Sequence, residues 1–496
     1  MSLSLSSKLF ERSVTIKIKK LFYVLIFLAL GGSLTACSEK QAQNTLQKID
    51  SPVFKNGVVH DPSVIKSNEN YYIIGSHLQM AKSSNLMAWE QISESVPTTE
   101  LFEVVYKEFA EEFEYAKSDT MWAGDITQLE DGRYYLYYCL CEGASPRSVL
   151  GVAVSDSIEG PYTKIESFLW SGGAKTPNGK PYNANTDPNV IDPHVFYDKD
   201  GQLWMVYGSY SGGIFILEMN NKTGLPKDRT TYGTKILGGN HARIEAPYIL
   251  YVPETDYYYL FTSYGGLDLD GGYNIRVARS KTVNGPFKDM QGNDVIKAKG
   301  RPGVMFDDEN IQDIGTKMIG NMIWDYGDSL LNRGYMSPGH NSAIIDEENN
   351  QTFLLFHTRF PGQGENYEVR THQLLFNEEG WPMIVPRPYS GEKEEDFRTI
   401  DLSGKYMFVK FNNEISAEKI RSENLLIDNK KISGALSGRL DYPEKVDQDF
   451  SISLNDGSLI KGKFISVWDD YMKHQTIAFT GYSQDGDAVM LVEEKD

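Results

Sequence analysis

"IDPHVFYDKDGQLWMVYGS", residues 191 to 209, decides the fold of this chain. An acidic residue and a proline open it, a short apolar strand follows, "DKDG" reverses the chain, and an aromatic strand runs back to Gly-Ser. Asp and Gly tolerate the backbone of a tight turn, while Val, Phe, Trp and Tyr fit a pleated surface, so the stretch reads as a β-hairpin. The plan recurs on both sides, in "HDPSVIKSNENYYIIGS" (60 to 76), "AGDITQLEDGRYYLYYC" (123 to 139), "IEAPYILYVPETDYYYLFTS" (244 to 263) and "HNSAIIDEENNQTFLLFHT" (340 to 358). Such a unit cannot bury its apolar faces alone and must stack on its neighbours.

A further strand and turn follow three of the hairpins, in "AKSSNLMAWEQI", "VAVSDSIEGPYTK" and "VARSKTVNGPFKD". Four strands per unit and five units predict an all-β chain built on a five-bladed β-propeller. The heads of the units fall at Asp61, Asp125, Asp192, Glu245 and His340/Asn341. In a propeller the innermost strands run along the axis in one direction, so equivalent heads gather at one mouth of the channel. Crowded, desolvated carboxylates oppose one another's ionisation, which keeps one protonated while another stays charged. Cleavage of a glycosidic bond needs that pair, an acid for the leaving oxygen and a base for water. A lone Asp-Pro merely starts a turn; the repeat gives Asp61 and Asp192 their weight.

Other segments bound the architecture. "TELFEVVYKEFAEEFEYAKSDT" (99 to 120) places Leu101, Val104, Val105, Phe109 and Phe113 at helical spacing and predicts a helical insertion between the first two blades. Cys139 and Cys141, two apart on a strand, point to one face and read as buried thiols. From about Tyr389 the pattern shifts to a charged linker (389 to 400) and then short strands with Gly and Asp turns (401 to 496), a small antiparallel barrel or sandwich. The propeller is expected over 51 to 388.

At the start, Arg12, Lys17, Lys19 and Lys20 precede "LFYVLIFLAL" and small residues, the regions of an export signal over 1 to 36, too short in its apolar part to span a bilayer comfortably. Leu34-Thr35-Ala36-Cys37 resembles a bacterial lipobox, which implies acylation of Cys37 and a lipid anchor to the membrane, with 37 to 50 as tether. The formal charge of −19 becomes −23 once a leader of net +4 is removed. So acidic a chain lacks the clustered cations that nucleic acid or an anionic membrane surface requires. No Gly-x-Ser-x-Gly elbow, His-Glu-x-x-His pair or phosphate-cradling Gly loop occurs.

"HDP" (60 to 62), "WAGD" (122 to 125), "NVIDPHVFYDKDGQLWMVYGSYSGGI" (189 to 214), "RIEAPYI" (243 to 249), "GGYNIRVARS" (271 to 280), "GHNS" (339 to 342) and "VRTHQL" (369 to 374) resemble glycoside hydrolase family 43, in particular its two-domain endo-α-1,5-L-arabinanases. The resemblance runs from about residue 55 to the C-terminus. It implies an inverting hydrolase of α-1,5-linked arabinan with Asp61 as general base, Glu245 as general acid and Asp192 orienting the acid and raising its pKa; the chain is expected to act as a monomer. It further implies that Asp125, Trp122, His60 and Arg370 contact substrate and that His340 holds a calcium ion largely through waters. Gly124 stands where the family commonly has proline, which weakens the assignment of Asp125. Two rivals follow from the same residues: an exo-acting α-L-arabinofuranosidase or β-xylosidase of the same fold, and a non-catalytic glycan-binding lipoprotein.

Overall fold

The computed structural model describes residues 46–173, 176–327 and 333–495. The leader expected over 1 to 36, Cys37 and the tether up to residue 45 lie outside the described residues.

Five antiparallel meanders form the blades. Blade I comprises Ser63–Ser67, Asn70–Ile74, Met80–Ser83 and Glu90–Ser93; blade II comprises Asp125–Gln128, Tyr134–Cys141, Ser148–Ser155 and Thr163–Ser171. Blade III comprises His194–Tyr197, Leu203–Tyr207, Ile214–Glu218 and Thr234–Leu237; blade IV comprises Ile244–Val252, Tyr257–Tyr264, Asn274–Ser280 and Thr316–Ile319. Blade V starts from the long strand Gly334–Asp346 and continues through Gln351–Arg359, Tyr367–Phe376 and Pro382–Ile384. The innermost strands adjoin one another in sequence order, and the fifth returns to the first. Lys66 Nζ meets Asp346 Oδ1 at 2.8 Å across that closure, and the Val369 amide donates to the Gly57 carbonyl at 2.9 Å.

Each blade's second strand is buried on both faces, which explains its solid apolar runs. In Tyr134–Cys141, the side chains of Tyr135, Tyr137, Cys139 and Cys141 pack toward blade III, whereas Leu136, Tyr138 and Leu140 pack toward blade I. The two cysteines are free, buried and on one face, as their spacing predicts.

Eight strands from Gly404–Lys410 to Ala488–Glu494 close into a barrel, the first pairing with the last. Its interior is filled by Tyr406, Phe408, Leu425, Ile452 and Leu491, while Met407, Val409, Ile465 and Val467 on its outer face join the core of blades IV and V. The short strand Ile420–Arg421 leaves the barrel to pair in parallel with Met322–Ile323 at the edge of blade V.

Three expectations are revised. The insertion is helical only over Val105–Glu108 and Ala110–Ala116, because the chain leaves helical geometry at Phe109 (φ −110°) and stops at left-handed Lys117 (φ 48°). Val104, assigned to the apolar face, is 55 % exposed. The charged linker and the end of the tether are packed rather than free: Phe397 and Leu46 contribute to the barrel core, and the Ile49 amide donates to Gln475 Oε1 at 2.8 Å.

Candidate active site

Where the chain turns into an inner strand, three heads adopt the left-handed backbone: Asp61 (φ 59°), Asp192 (φ 56°) and His340 (φ 47°); Ala246, beside the fourth head, does the same (φ 54°). Such conformations cost of order 1–3 kcal/mol for residues with a Cβ and persist where the surroundings enforce them. Here they turn each side chain into the mouth.

Asp61 is buried and fully engaged. Its Oδ2 accepts from Ser76 Oγ at 2.5 Å and lies 2.8 Å from His60 Nδ1, while its Oδ1 lies 3.0 Å from His340 Nδ1. The Asp61 amide donates to His357 Nδ1 at 3.1 Å, which places the proton of that neutral imidazole on Nε2. Burial alone would raise the Asp61 carboxyl, but His340 and His60 outweigh it and hold it well below the usual range. His340 responds in kind: burial opposes its charge, yet Asp61, Asp192 and Glu245 raise it to about 9.

Glu245 sits between two hydroxyls, accepting from Ser209 Oγ at 2.7 Å and from Tyr273 Oη at 2.8 Å. Burial pushes its carboxyl up, against His340 and the two hydroxyls. Asp192 is pushed up by burial and by the charges of Glu245 and Asp61, against His340, and its Oδ2 accepts from the Ala246 amide at 3.2 Å. That bond fixes the backbone beside Glu245. The mouth therefore holds one carboxyl shifted toward the anion, Asp61, and two shifted toward the acid form, Glu245 and Asp192, and a split of this kind is what general acid–base hydrolysis requires.

Two calls are corrected. Asp125 lies two residues further into its strand than Asp61 or Asp192, with Ala123 at the head position. Its Oδ1 accepts from Ser63 Oγ at 2.5 Å and its Oδ2 from the Val195 amide at 2.7 Å, so it braces the inner strands of blades I and III instead of facing a sugar. Asp125→Ala is expected to destabilise the fold by about 3 kcal/mol, since two buried donors lose a charged acceptor; thermal melting measures the loss, and a large fall in KM-sensitive turnover without lower stability would restore the substrate role. Arg370 lies in a cleft of about 190 Å³ between blade V and the barrel, with Trp324, Phe360, Glu368, Arg387 and Tyr471, and no carboxylate head lines that cleft. It stacks over Phe360 at 4.5 Å and pairs with Glu368 at 2.8 Å, a packing role.

His60 joins the site through Asp61, and it is stacked on His357 with ring centroids 4.1 Å apart. Trp122 is half-buried one residue before the blade II head. Ser76, Ser209, Ser263, Tyr273 and His357 were not singled out from the sequence. The serines had a signal: they recur at or just past the ends of the second strands, in "IIGS", "VYGS" and "LFTS". Ser76 serves Asp61, Ser209 serves Glu245, and Ser263 Oγ accepts the His340 amide at 2.8 Å. Tyr273 reaches the mouth from just before the strand Asn274–Ser280 and His357 from within Gln351–Arg359, segments whose local sequence gives no sign of the site.

Ser209 and Tyr273 both stabilise the ionised form of Glu245. Ser209→Ala or Tyr273→Phe is therefore expected to raise the acid's pKa further and move the alkaline limb of kcat/KM to higher pH. A limb that moves down, or stays fixed in both variants, contradicts this.

Buried carboxyls of opposed setting at the mouth of a five-bladed ring fit a glycoside hydrolase, and the chain belongs to Glycosyl hydrolases family 43, which matches residues 49–321; a C-terminal lipocalin-like domain of that family matches residues 386–491. It is 47% identical over 473 residues to extracellular endo-α-(1→5)-L-arabinanase 2 of Bacillus subtilis, covering 95% of this chain and 98% of that protein. It is 43% identical over 458 residues to an extracellular endo-α-(1→5)-L-arabinanase of Thermotoga petrophila, covering 90% and 96%. Among solved structures, a family 43 glycoside hydrolase from Bacillus licheniformis superposes with a TM-score of 0.86 at 49% identity, over 90% of this chain and all of that one.

Proposed function

We propose that this protein is an exported endo-hydrolase of α-1,5-linked L-arabinan that acts with inversion. Asp61 takes a proton from a water on one face of the anomeric carbon. As the new C–O bond forms, the glycosidic C–O bond breaks, and Glu245 gives its proton to the departing oxygen. Asp192 orients the acid through the Ala246 amide.

The observation that carries the reading is the opposed setting of two buried carboxyls in one mouth, Asp61 against His340 and His60, Glu245 against Ser209 and Tyr273. Near full-length similarity to extracellular endo-arabinanases supports the choice of polymer, of internal cleavage and of export. Digestion of linear arabinan should release a ladder of oligosaccharides, and proton NMR of the first product should show inverted configuration. Release of single arabinose units from the outset would favour the exo-acting reading, and retained configuration would remove Asp61 as base. The lipid anchor on Cys37 belongs to the same proposal; Cys37→Ser should release the protein from the membrane fraction.

Calcium prefers oxygen ligands, so an ion beside His340 would be bound mostly by water. Both oxygens of Asp61 and both of Glu245 already meet protein groups, leaving His340 to hold the ion through the ring nitrogen that does not face Asp61. Bound there, a cation supplies positive charge beside the carboxylates that the His340 proton otherwise provides. Chelation is expected to lower activity and calcium to restore it; unchanged activity and Tm would leave His340 as the ion-pair partner of Asp61 alone.

A further inference from the structure

Val304, Met305 and Phe306 are three consecutive apolar residues standing 40 %, 56 % and 49 % exposed on the loop between the last two strands of blade IV. A run of exposed apolar side chains has no role in folding and marks a contact surface. The loop that bears it is nevertheless held firmly. Asp307 Oδ2 accepts from the Arg301 amide at 2.8 Å and from Arg301 Nε at 2.7 Å, and its Oδ1 accepts from Arg301 Nη2 at 2.6 Å. Arg243, two residues before Glu245, pairs with Asp308, its Nε donating to Oδ1 at 3.0 Å. Asn240 Nδ2 donates to the Gly300 carbonyl at 2.8 Å. Both ends of the loop are thus tied to the segment that leads into the general acid.

Of the three, Phe306 packs toward the same side. Phe306, in left-handed backbone (φ 56°), meets Tyr210 edge-on with ring centroids 5.7 Å apart. Tyr210 follows Ser209, the hydroxyl donor to Glu245, and its amide donates to the Ile244 carbonyl at 2.9 Å. Each guanidinium at the loop's base is matched by carboxylate, Arg243 by Asp308 and Arg301 by Asp307 and Glu309, so neither is left to recognise an anionic sugar. That suits the C–H face of a neutral furanose ring and not an anionic sugar.

We infer that Val304, Met305 and Phe306 form a binding platform for the arabinosyl units on the leaving-group side of the cleaved bond. The inference rests on the reading of the chain as an arabinan hydrolase. The direction follows from the chemistry: Glu245 protonates the departing oxygen, so a surface beside Glu245 lies along the departing, reducing-end part of the polymer. Phe306 and Met305 would then determine how many units are held beyond the scissile bond.

The test uses the full chain and arabinohexaose labelled at its reducing end. For Phe306→Ala, kcat/KM is expected to fall about tenfold, mainly through KM, and the labelled fragments should become shorter as chains bind with fewer units on the weakened side. Phe306→Tyr, which keeps the ring, should keep the wild-type fragment lengths. Met305→Ser, at an exposed position, should shorten the fragments in the same direction and covers the case in which Phe306→Ala fails to fold. Fragment lengths unchanged in Phe306→Ala and Met305→Ser, whatever the rate, would overturn the platform. Wild-type protein that leaves linear arabinan intact would instead remove the hydrolase reading, and the platform with it.

Discussion

Glu245→Gln is expected to lower kcat on linear arabinan by about 10³-fold while the protein still binds arabinohexaose, since loss of a positioned general acid removes proton transfer but little ground-state contact. The amide keeps the shape of the carboxyl and remains able to hydrogen-bond the hydroxyls of Ser209 and Tyr273, so the site should persist. Reducing-sugar release gives kcat, and calorimetric titration with arabinohexaose gives Kd. Near-normal turnover would show that another group protonates the leaving oxygen. A lost Kd alongside lost turnover would show that Glu245 serves binding more than chemistry.

Asp61→Asn is expected to have a comparable effect, about 10³-fold on kcat, through loss of the base that deprotonates water. It has a second signature in the site's electrostatics. Burial lowers the pKa of His340, and Asp61 is the foremost of the charges that lift it to about 9. Removing that charge lets burial act less opposed, so the imidazole should titrate at lower pH, which NMR of the ring in calcium-free buffer measures. Retained turnover would eliminate Asp61 as base; an unmoved His340 would mean that Asp192 and Glu245 carry its proton.

The two variants probe opposite ends of one arrangement. Adjacent histidines shift Asp61 toward its ionised form, and burial shifts Glu245 toward its protonated form against His340, Ser209 and Tyr273. Ser209 and Tyr273 moderate the second effect, which is why their removal should move the alkaline limb upward. Asp125 takes no part in this balance, because its oxygens are committed to Ser63 and Val195.

The repeated hairpin determined the ring from sequence alone. An acidic or polar head, a strand, a turn and a strand buried on both faces have only one compact arrangement when repeated five times, and that arrangement brings Asp61, Asp192, Glu245 and His340 to one opening. The paired faces of "YYLYYCLC" followed equally directly, since side chains alternate along a strand whatever lies beyond it. Tertiary structure alone decided depth and direction. A two-residue displacement along the inner strand turned Asp125 from ligand contact into brace, and sequence similarity among heads does not fix that register. Arg370 fell to the cleft beside the barrel because its strand lies two removed from the axis in blade V. His357 became the partner of Asp61 because blades V and I converge, whereas Tyr273 reaches Glu245 from the start of the third strand of the same blade, and neither contact is recorded in a local pattern of residues.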